Sequence, residues 1–170
     1  MTAARQERKS RRLLAMAATL IGLMLLAGPT LQPGRIDAAT TDQVVANRHT
    51  GLAIDGFDPV AYFVDAEPKL GRPGLEFRHA AVTWRFANEG NRAAFAADPD
   101  VYMPRFGGYD PIAIGRGAAA AGHPGLWRIA GRRLYLFYSA EARSAFGDNP
   151  DGAIEAAERH WPEVLRALTP

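Results

Sequence analysis

Two aspartates, each followed by proline, are the candidate acid–base groups in this chain of 170 residues. Asp58 and Asp110 offer carboxylate oxygens that suit acid–base chemistry or a hard metal ion. An aspartate before proline also caps a turn through its own side chain, and turn chemistry favours that role for Asp58. Tyr62 and Tyr109 lie close to the two aspartates in the sequence. Asp58, Tyr62, Tyr109 and Asp110 are therefore the candidate residues for contacting a ligand or cofactor.

The residues that can ligate a metal ion are scattered along the chain. The four histidines are His49, His79, His123 and His160, and no HExxH motif or close ligand spacing joins them. His79 falls in phase with Phe77 on a predicted strand, which favours a packing role, and His160 is interpreted as a surface residue. The candidate metal ligands are His79, Met103, Asp110, His123 and His160.

The stretch from Trp84 to Tyr109 predicts a strand, a capped helix and a glycine turn in one run. Trp84 and Phe86 alternate with smaller or polar residues, which is typical of a strand with one buried face. Asn88 is the predicted N-cap of the helix that follows. Asp98-Pro99 ends that helix, because the residue before a proline disfavours helical geometry.

These residues carry a resemblance to a known family. The run from Phe86 to Arg92, then Phe95, then Asp98-Pro99 with Tyr102, resembles the YHS domain, whose pattern reads Phe-Cys-Ser-x-x-Cys-Arg, Phe and Asp-Pro-x-x-Tyr. The longer exported bacterial YHS (seleno)protein subgroup is similar over nearly all of the chain after about Gly51. The matching segments there are Gly56 to Phe63, Tyr102 to Tyr109, Leu134 to Leu136 and Trp161-Pro162.

The resemblance implies metal handling through cysteines, but this chain has no cysteine. Upstream, Asp58-Pro59-Val60-Ala61 resembles the family's Asp-Pro-Val-Cys element. Ala61, Ala87 and Asn91 therefore stand where the short motif has sulfur, and Asp110 stands where the longer subgroup has cysteine or selenocysteine. Thiolate is the soft ligand that selects copper(I) or zinc. Thiolate metal binding and thiol redox chemistry are therefore excluded for this chain.

The amino terminus predicts export. Five basic residues precede an apolar run from Leu13 to Ala27, which is the order of a secretory signal peptide over residues 1–39. Ser10-Arg11-Arg12-Leu13-Leu14 resembles the twin-arginine motif, and an ordinary Sec signal is the alternative. Cleavage after Ala39 gives a periplasmic or otherwise exported protein, whereas an uncleaved segment would be a membrane anchor. Residues 40–50 are then a linker, and residues 51–170 form a single YHS-like domain.

Removal of the leader changes the charge balance. The whole chain has 20 basic and 18 acidic residues, and 14 basic and 16 acidic residues remain after position 39, a net charge of −2. The sequence pI of about 9.2 is thus largely a property of the leader, and nucleic acid is not an expected partner.

The predicted fold is a small α+β domain, an antiparallel sheet of short strands with short helices packed on one side. Two hairpins are predicted, one around Ala80-Ala81 and one around Gly131-Arg132, followed by a helix that Ser139 caps. The aromatic residues are expected to form most of the core; they are Phe57, Tyr62, Trp84, Phe86, Phe95, Tyr102, Tyr109, Trp127, Tyr135 and Trp161.

The leading functional hypothesis is a non-enzymatic binding or accessory module that lacks the cysteine metal site, with a small ligand or a periplasmic protein as partner. No nucleophile stands beside a base, and no phosphate-binding or dinucleotide motif occurs. One alternative is a copper, other metal or haem carrier that uses His, Met, Asp or Tyr ligands. A further alternative is an enzyme in which Asp58 or Asp110 is the acid–base group.

Overall fold

A computed structural model describes residues 43–168, and the predicted signal peptide lies outside them. Short 3₁₀ turns occupy Ile54–Gly56 and Arg105–Gly108. The α-helices are α1 Ala61–Val64, α2 Glu89–Ala97, α3 Pro99–Tyr102, α4 Pro111–Ile114, α5 Ala140–Asp148 and α6 Pro150–Leu168. The strands are β1 Glu76–His79, β2 Val82–Arg85, β3 His123–Ala130 and β4 Arg133–Phe137. The α+β class is confirmed.

The strands form two antiparallel hairpins, each a two-stranded sheet of its own. In the first, Phe77 pairs with Trp84, and in the second, Arg128 pairs with Tyr135. Both hairpins turn through two residues in the left-handed region, Ala80-Ala81 in one and Gly131-Arg132 in the other. The antiparallel pairing predicted from the sequence is therefore divided between two sheets.

The described chain contains the same arrangement twice. Each copy runs from a left-handed 3₁₀ turn into an Asp-Pro helix, a hairpin, a capped nine-residue helix and a further helix that begins with proline. We call residues 53–102 the first half and residues 105–168 the second half. This repetition was not predicted from the sequence.

Backbone dihedral angles agree between the halves at the residues that follow the 3₁₀ turn and the capped helix. Phe57 has φ −72° and ψ 148°, and Tyr109 has φ −75° and ψ 149°. Asp98 has φ −148° and ψ 76°, and Asn149 has φ −150° and ψ 76°. The loops close in the same way, since Asp58 N donates to Lys69 O and Asp110 N donates to Ala120 O. The two halves are thus one local fold built from two different sequences.

Local sequence explains why both copies form. Asn88 Oδ1 accepts from Asn91 N at 2.8 Å, and Ser139 Oγ accepts from Ala142 N at 3.2 Å, so both predicted N-caps are confirmed. The helices end before Pro99 and Pro150, because proline excludes helical geometry at the preceding residue.

Two hydrophobic clusters lie on opposite faces of β4. Leu134 and Leu136 belong to the first cluster, whereas Tyr135 and Phe137 belong to the second. Each cluster centres on the phenylalanine of its capped helix, Phe95 or Phe146. Of the predicted core aromatics, Tyr62, Trp84, Phe86, Phe95, Tyr109 and Tyr135 are buried, and Phe57, Tyr102, Trp127 and Trp161 pack half-buried against the clusters.

Residues 43–46 of the predicted linker pack against the domain. Val44 is buried in the first cluster, and Val45 N donates to Gly107 O at 2.8 Å. A Cβ at Gly107 would lie 1.8 Å from Gln43 O, so the close approach of this segment requires glycine. Near the carboxyl terminus, α6 continues through Pro162 to Leu168.

Substitution of the turn residues of the first hairpin is expected to change the stability of the domain. Ala80 and Ala81 are exposed and have φ of 51° and 63°, a conformation that costs an L-residue with a Cβ roughly 1–2 kcal/mol. The type I′ turn favours Asn-Gly, so the double variant Ala80→Asn, Ala81→Gly is expected to raise the free energy of unfolding by about 1 kcal/mol. Chemical denaturation measures the change. Ala93→Gly, at an exposed position inside α2, is the control and should lower stability.

Candidate functional site

Asp58 is a fully buried carboxylate that joins three segments of the first half. Its Oδ1 accepts from Val60 N at 2.8 Å and from Ala61 N at 3.3 Å, which caps the start of α1 as the Asp-Pro pair predicted. Its Oδ2 accepts from Ala87 N at 2.8 Å and from Asn91 Nδ2 at 2.6 Å. Four donors therefore satisfy a charge that would otherwise be costly to bury.

The donors around Asp58 include the three positions that the sequence resemblance aligns with cysteines of the YHS domain. Ala61 and Ala87 contribute backbone N–H groups, and Asn91 contributes its amide. The positions thus converge in space, but what they present is two methyl groups and a carboxamide that donates to a carboxylate. This donor set does not fit a soft metal ion.

Asp110 holds the matching place in the second half. Its side chain is 2% exposed, and its Oδ1 accepts from Ile112 N at 2.7 Å and from Ala113 N at 3.4 Å. Its Oδ2 accepts from Tyr138 N at 2.9 Å, just as Asp58 accepts from Ala87 N. Asp110 therefore caps α4 and fixes the chain after β4.

The fourth donor is what separates the two halves. Ala142 occupies the position of Asn91, and within residues 43–168 no side chain replaces the amide that Asn91 supplies to Asp58. An open cavity of about 320 Å³ lies at this place, and Asp110, Tyr138 and Ala142 are among its lining residues. The second half thus has an accessible space where the first half has a buried side chain.

The rim of this cavity, which we call the Asp110 cavity, carries charges that the first half lacks. Arg116 and Glu141 line it, and their counterparts are Val64 and Gly90. The pKa of Glu141 is lowered by a hydrogen bond from its own backbone N–H and then by the Ser139 hydroxyl. Glu141 is therefore anionic at neutral pH. The cavity offers a buried anion, a rim cation and a rim anion to a ligand.

Neither candidate tyrosine is among the residues that line the Asp110 cavity. Tyr62 is buried, its hydroxyl donates to Pro124 O at 3.0 Å, and its ring meets Trp127 edge-on at 5.3 Å. Burial, and secondarily the charge of Asp58, raise the pKa of Tyr62 well above its ordinary value. Tyr109 is buried in the second cluster, 6.1 Å from the Trp161 ring. Tyr62 joins the halves of the domain and is not poised to exchange a proton.

The candidate histidines have separate local roles. The His79 ring packs edge-on against Phe95 at 6.0 Å, and His79 O accepts from Trp84 Nε1. His123 Nδ1 accepts from Gly125 N, and His160 Nδ1 donates to Ala156 O at 2.9 Å. The structure does not bring these side chains together.

The remaining candidate metal ligand, Met103, packs half-buried against the first cluster. Among the residues that the structure describes, no group of three or more His, Cys, Asp or Glu side chains is arranged to hold a metal ion. Across residues 43–168, no helix is both long enough and apolar enough to cross a membrane.

Comparisons of the chain with protein-family models, curated proteins and solved structures found no match. The candidate site therefore stands on its own geometry.

The Asn91 amide gives the first prediction for this site. Asn91→Ala removes a short hydrogen bond to a buried carboxylate and is expected to lower the free energy of unfolding by about 2 kcal/mol. Chemical denaturation of the purified protein measures the loss. Arg92→Ala, which breaks only the exposed pair with Glu89, is the control and should change stability by less than about 0.5 kcal/mol. Equal losses in the two variants would contradict the role of Asn91.

Tyr62 gives a pH prediction. Its folded-state pKa lies above the unfolded value of 10.0, so its contribution to stability is complete below pH 10 and is lost as the pH rises further. Above pH 10 the wild type is expected to lose about 1.4 kcal/mol per pH unit more than Tyr62→Phe. Denaturant unfolding of both proteins between neutral and alkaline pH tests this. Identical slopes would show that Tyr62 titrates normally in the folded state.

Proposed function

We propose that this chain is an exported, non-enzymatic YHS-like module that binds a small ligand in the Asp110 cavity. The observation that carries the proposal is the difference between the halves. The first half fills the space beside its buried aspartate with Asn91, whereas the second half leaves about 320 Å³ beside Asp110. Concave sites with a few convergent polar groups are the usual form of small-ligand sites.

The YHS assignment is supported by the motif residues and by their place around Asp58. The residues at the cysteine positions of the short motif all donate to one carboxylate, so the motif corresponds to one spatial centre. In this chain the centre is occupied by protein donors. We therefore assign it a structural role and place binding in the second half.

The buried carboxylates support a binding role over an enzymatic one. Both oxygens of Asp58 and both oxygens of Asp110 accept backbone N–H groups, which commits the two carboxylates to capping. A general acid or base needs a group that exchanges protons with the substrate. Export is proposed from the basic and apolar leader of residues 1–39.

A ligand screen on blocked and unblocked cavities tests this function. A small-molecule library is screened by thermal shift and ligand-observed NMR against wild type, Ala142→Leu and Ala140→Leu. Ala142→Leu adds three carbon atoms where Ala142 lines the Asp110 cavity and so narrows it, whereas Ala140 is exposed on the same helix and does not line it. We expect ligands that bind wild type and Ala140→Leu but not Ala142→Leu.

Two results would contradict the proposal. One is a library without a wild-type binder, and the other is a set of ligands that bind Ala142→Leu equally well. Metal analysis and an ultraviolet–visible spectrum of the same preparation test the rival carrier function. A stoichiometric metal or a haem band, lost in Asp110→Ala with the fold retained, would replace the proposal with a carrier that uses Asp110.

A further inference from the structure

We infer that the ligand of the Asp110 cavity carries a primary carboxamide, which donates to Asp110 Oδ2 as Asn91 does to Asp58 Oδ2. This inference rests on the proposed function and adds the chemical class of the ligand. Its basis lies within the chain, because the first half shows the occupied form of the arrangement that the second half leaves open.

The two buried carboxylates differ in the number of hydrogen bonds that they accept. An ionised carboxylate has about four lone-pair sites. At Asp58 four donors approach, three from the backbone and one from the Asn91 amide. At Asp110 the described residues supply three backbone donors, from Ile112, Ala113 and Tyr138. The donor without a counterpart in the second half is the Asn91 amide, and Ala142, which holds the position of Asn91, lines the Asp110 cavity.

The electrostatic environment selects the kind of donor. An anionic head group, such as a carboxylate or phosphate, offers only acceptors and would be repelled by Asp110. A neutral amide matches the first half, where three backbone N–H groups and one carboxamide satisfy the buried charge. The ligand therefore needs a hydrogen-bond donor, and the example inside this protein is the N–H of a carboxamide.

The size of the cavity and the charges at its rim indicate what the ligand carries besides the carboxamide. About 320 Å³ exceeds the volume of a carboxamide alone, so the ligand carries a further group. Ala113, Ala142 and Ala145 offer methyl groups to it, while Arg116 and Glu141 are placed to meet polar atoms at the opening. A small amide with a compact apolar body satisfies both features.

A matched set of probes tests the donor requirement. Benzamide, N,N-dimethylbenzamide, benzoate and benzamidine share one ring, but only benzamide and benzamidine have N–H donors. Each is titrated into the ¹⁵N-labelled protein, and the amide signals of Tyr138 and Ala142 report binding. We expect benzamide to bind, and N,N-dimethylbenzamide and benzoate to bind at least about tenfold more weakly, since they lack a charge-assisted hydrogen bond.

A second experiment uses a variant that places an amide side chain beside Asp110. Ala142→Asn is expected to place a carboxamide beside Asp110, to raise the melting temperature and to abolish benzamide binding. Ala142→Leu puts an apolar side chain in the same place and is expected to abolish benzamide binding without the same rise in melting temperature. Asn and Leu side chains have the same number of non-hydrogen atoms and the same branching, so the pair separates hydrogen bonding from occupancy.

The probe results separate the amide inference from the proposal that the Asp110 cavity binds a ligand. Equal affinity for benzamide and N,N-dimethylbenzamide would overturn the amide inference while leaving the Asp110 cavity as a binding site. Benzamidine binding about tenfold tighter than benzamide would replace the amide with a cation. Failure of all four probes would overturn the inference, and the library screen with Ala142→Leu then decides separately whether the cavity binds any ligand.

Discussion

The structure depends on a buried carboxylate that is satisfied almost entirely by backbone N–H groups. An unpaired charge in a protein interior is costly, so Asp58 and Asp110 each force distant chain segments into one geometry. Each aspartate caps the short helix that follows it and also fixes the residue just before the N-cap of the next long helix. The link spans the whole hairpin in both halves. The hairpin and the capped helix are thus held in register by one side chain.

Repetition of this unit explains both the stability of the domain and the place of its cavity. Two copies of a small motif each have too few apolar residues for an independent core, but they share β4. Its alternating side chains enter the first cluster on one face and the second cluster on the other. The Tyr62 hydroxyl adds a polar link from the first half to Pro124 of the second. With the scaffold fixed in duplicate, a side chain in one copy can change without loss of the fold.

The two halves differ in the side chains that surround the buried aspartate. Asn91 in the first half closes the space beside Asp58, whereas Ala142 in the second half opens the space beside Asp110. Arg116 and Glu141 bring charge to the opening where the first half has Val64 and Gly90. One copy is therefore packed as a structural centre, and the other retains the geometry around an accessible cavity. The same local fold supports both states because backbone donors hold both aspartates, and the Asn91 side chain adds a further donor only at Asp58.

The sequence alone predicts the N-caps Asn88 and Ser139 and the helix ends at Asp-Pro and Asn-Pro, because these follow from short-range backbone chemistry. It also excluded thiolate chemistry, because the chain has no cysteine. One short motif does recur in the sequence, as Asp-Pro-Val-Ala and Asp-Pro-Ile-Ala at matching places. The residues between the two copies differ too much for a sequence period to be visible. Three-dimensional contacts were needed to show that the strands form two sheets, that the two faces of β4 enter different clusters, and that Asn91 and Ala142 are counterparts. Those facts depend on contacts between residues far apart in the chain, whose side-chain geometry no local pattern encodes.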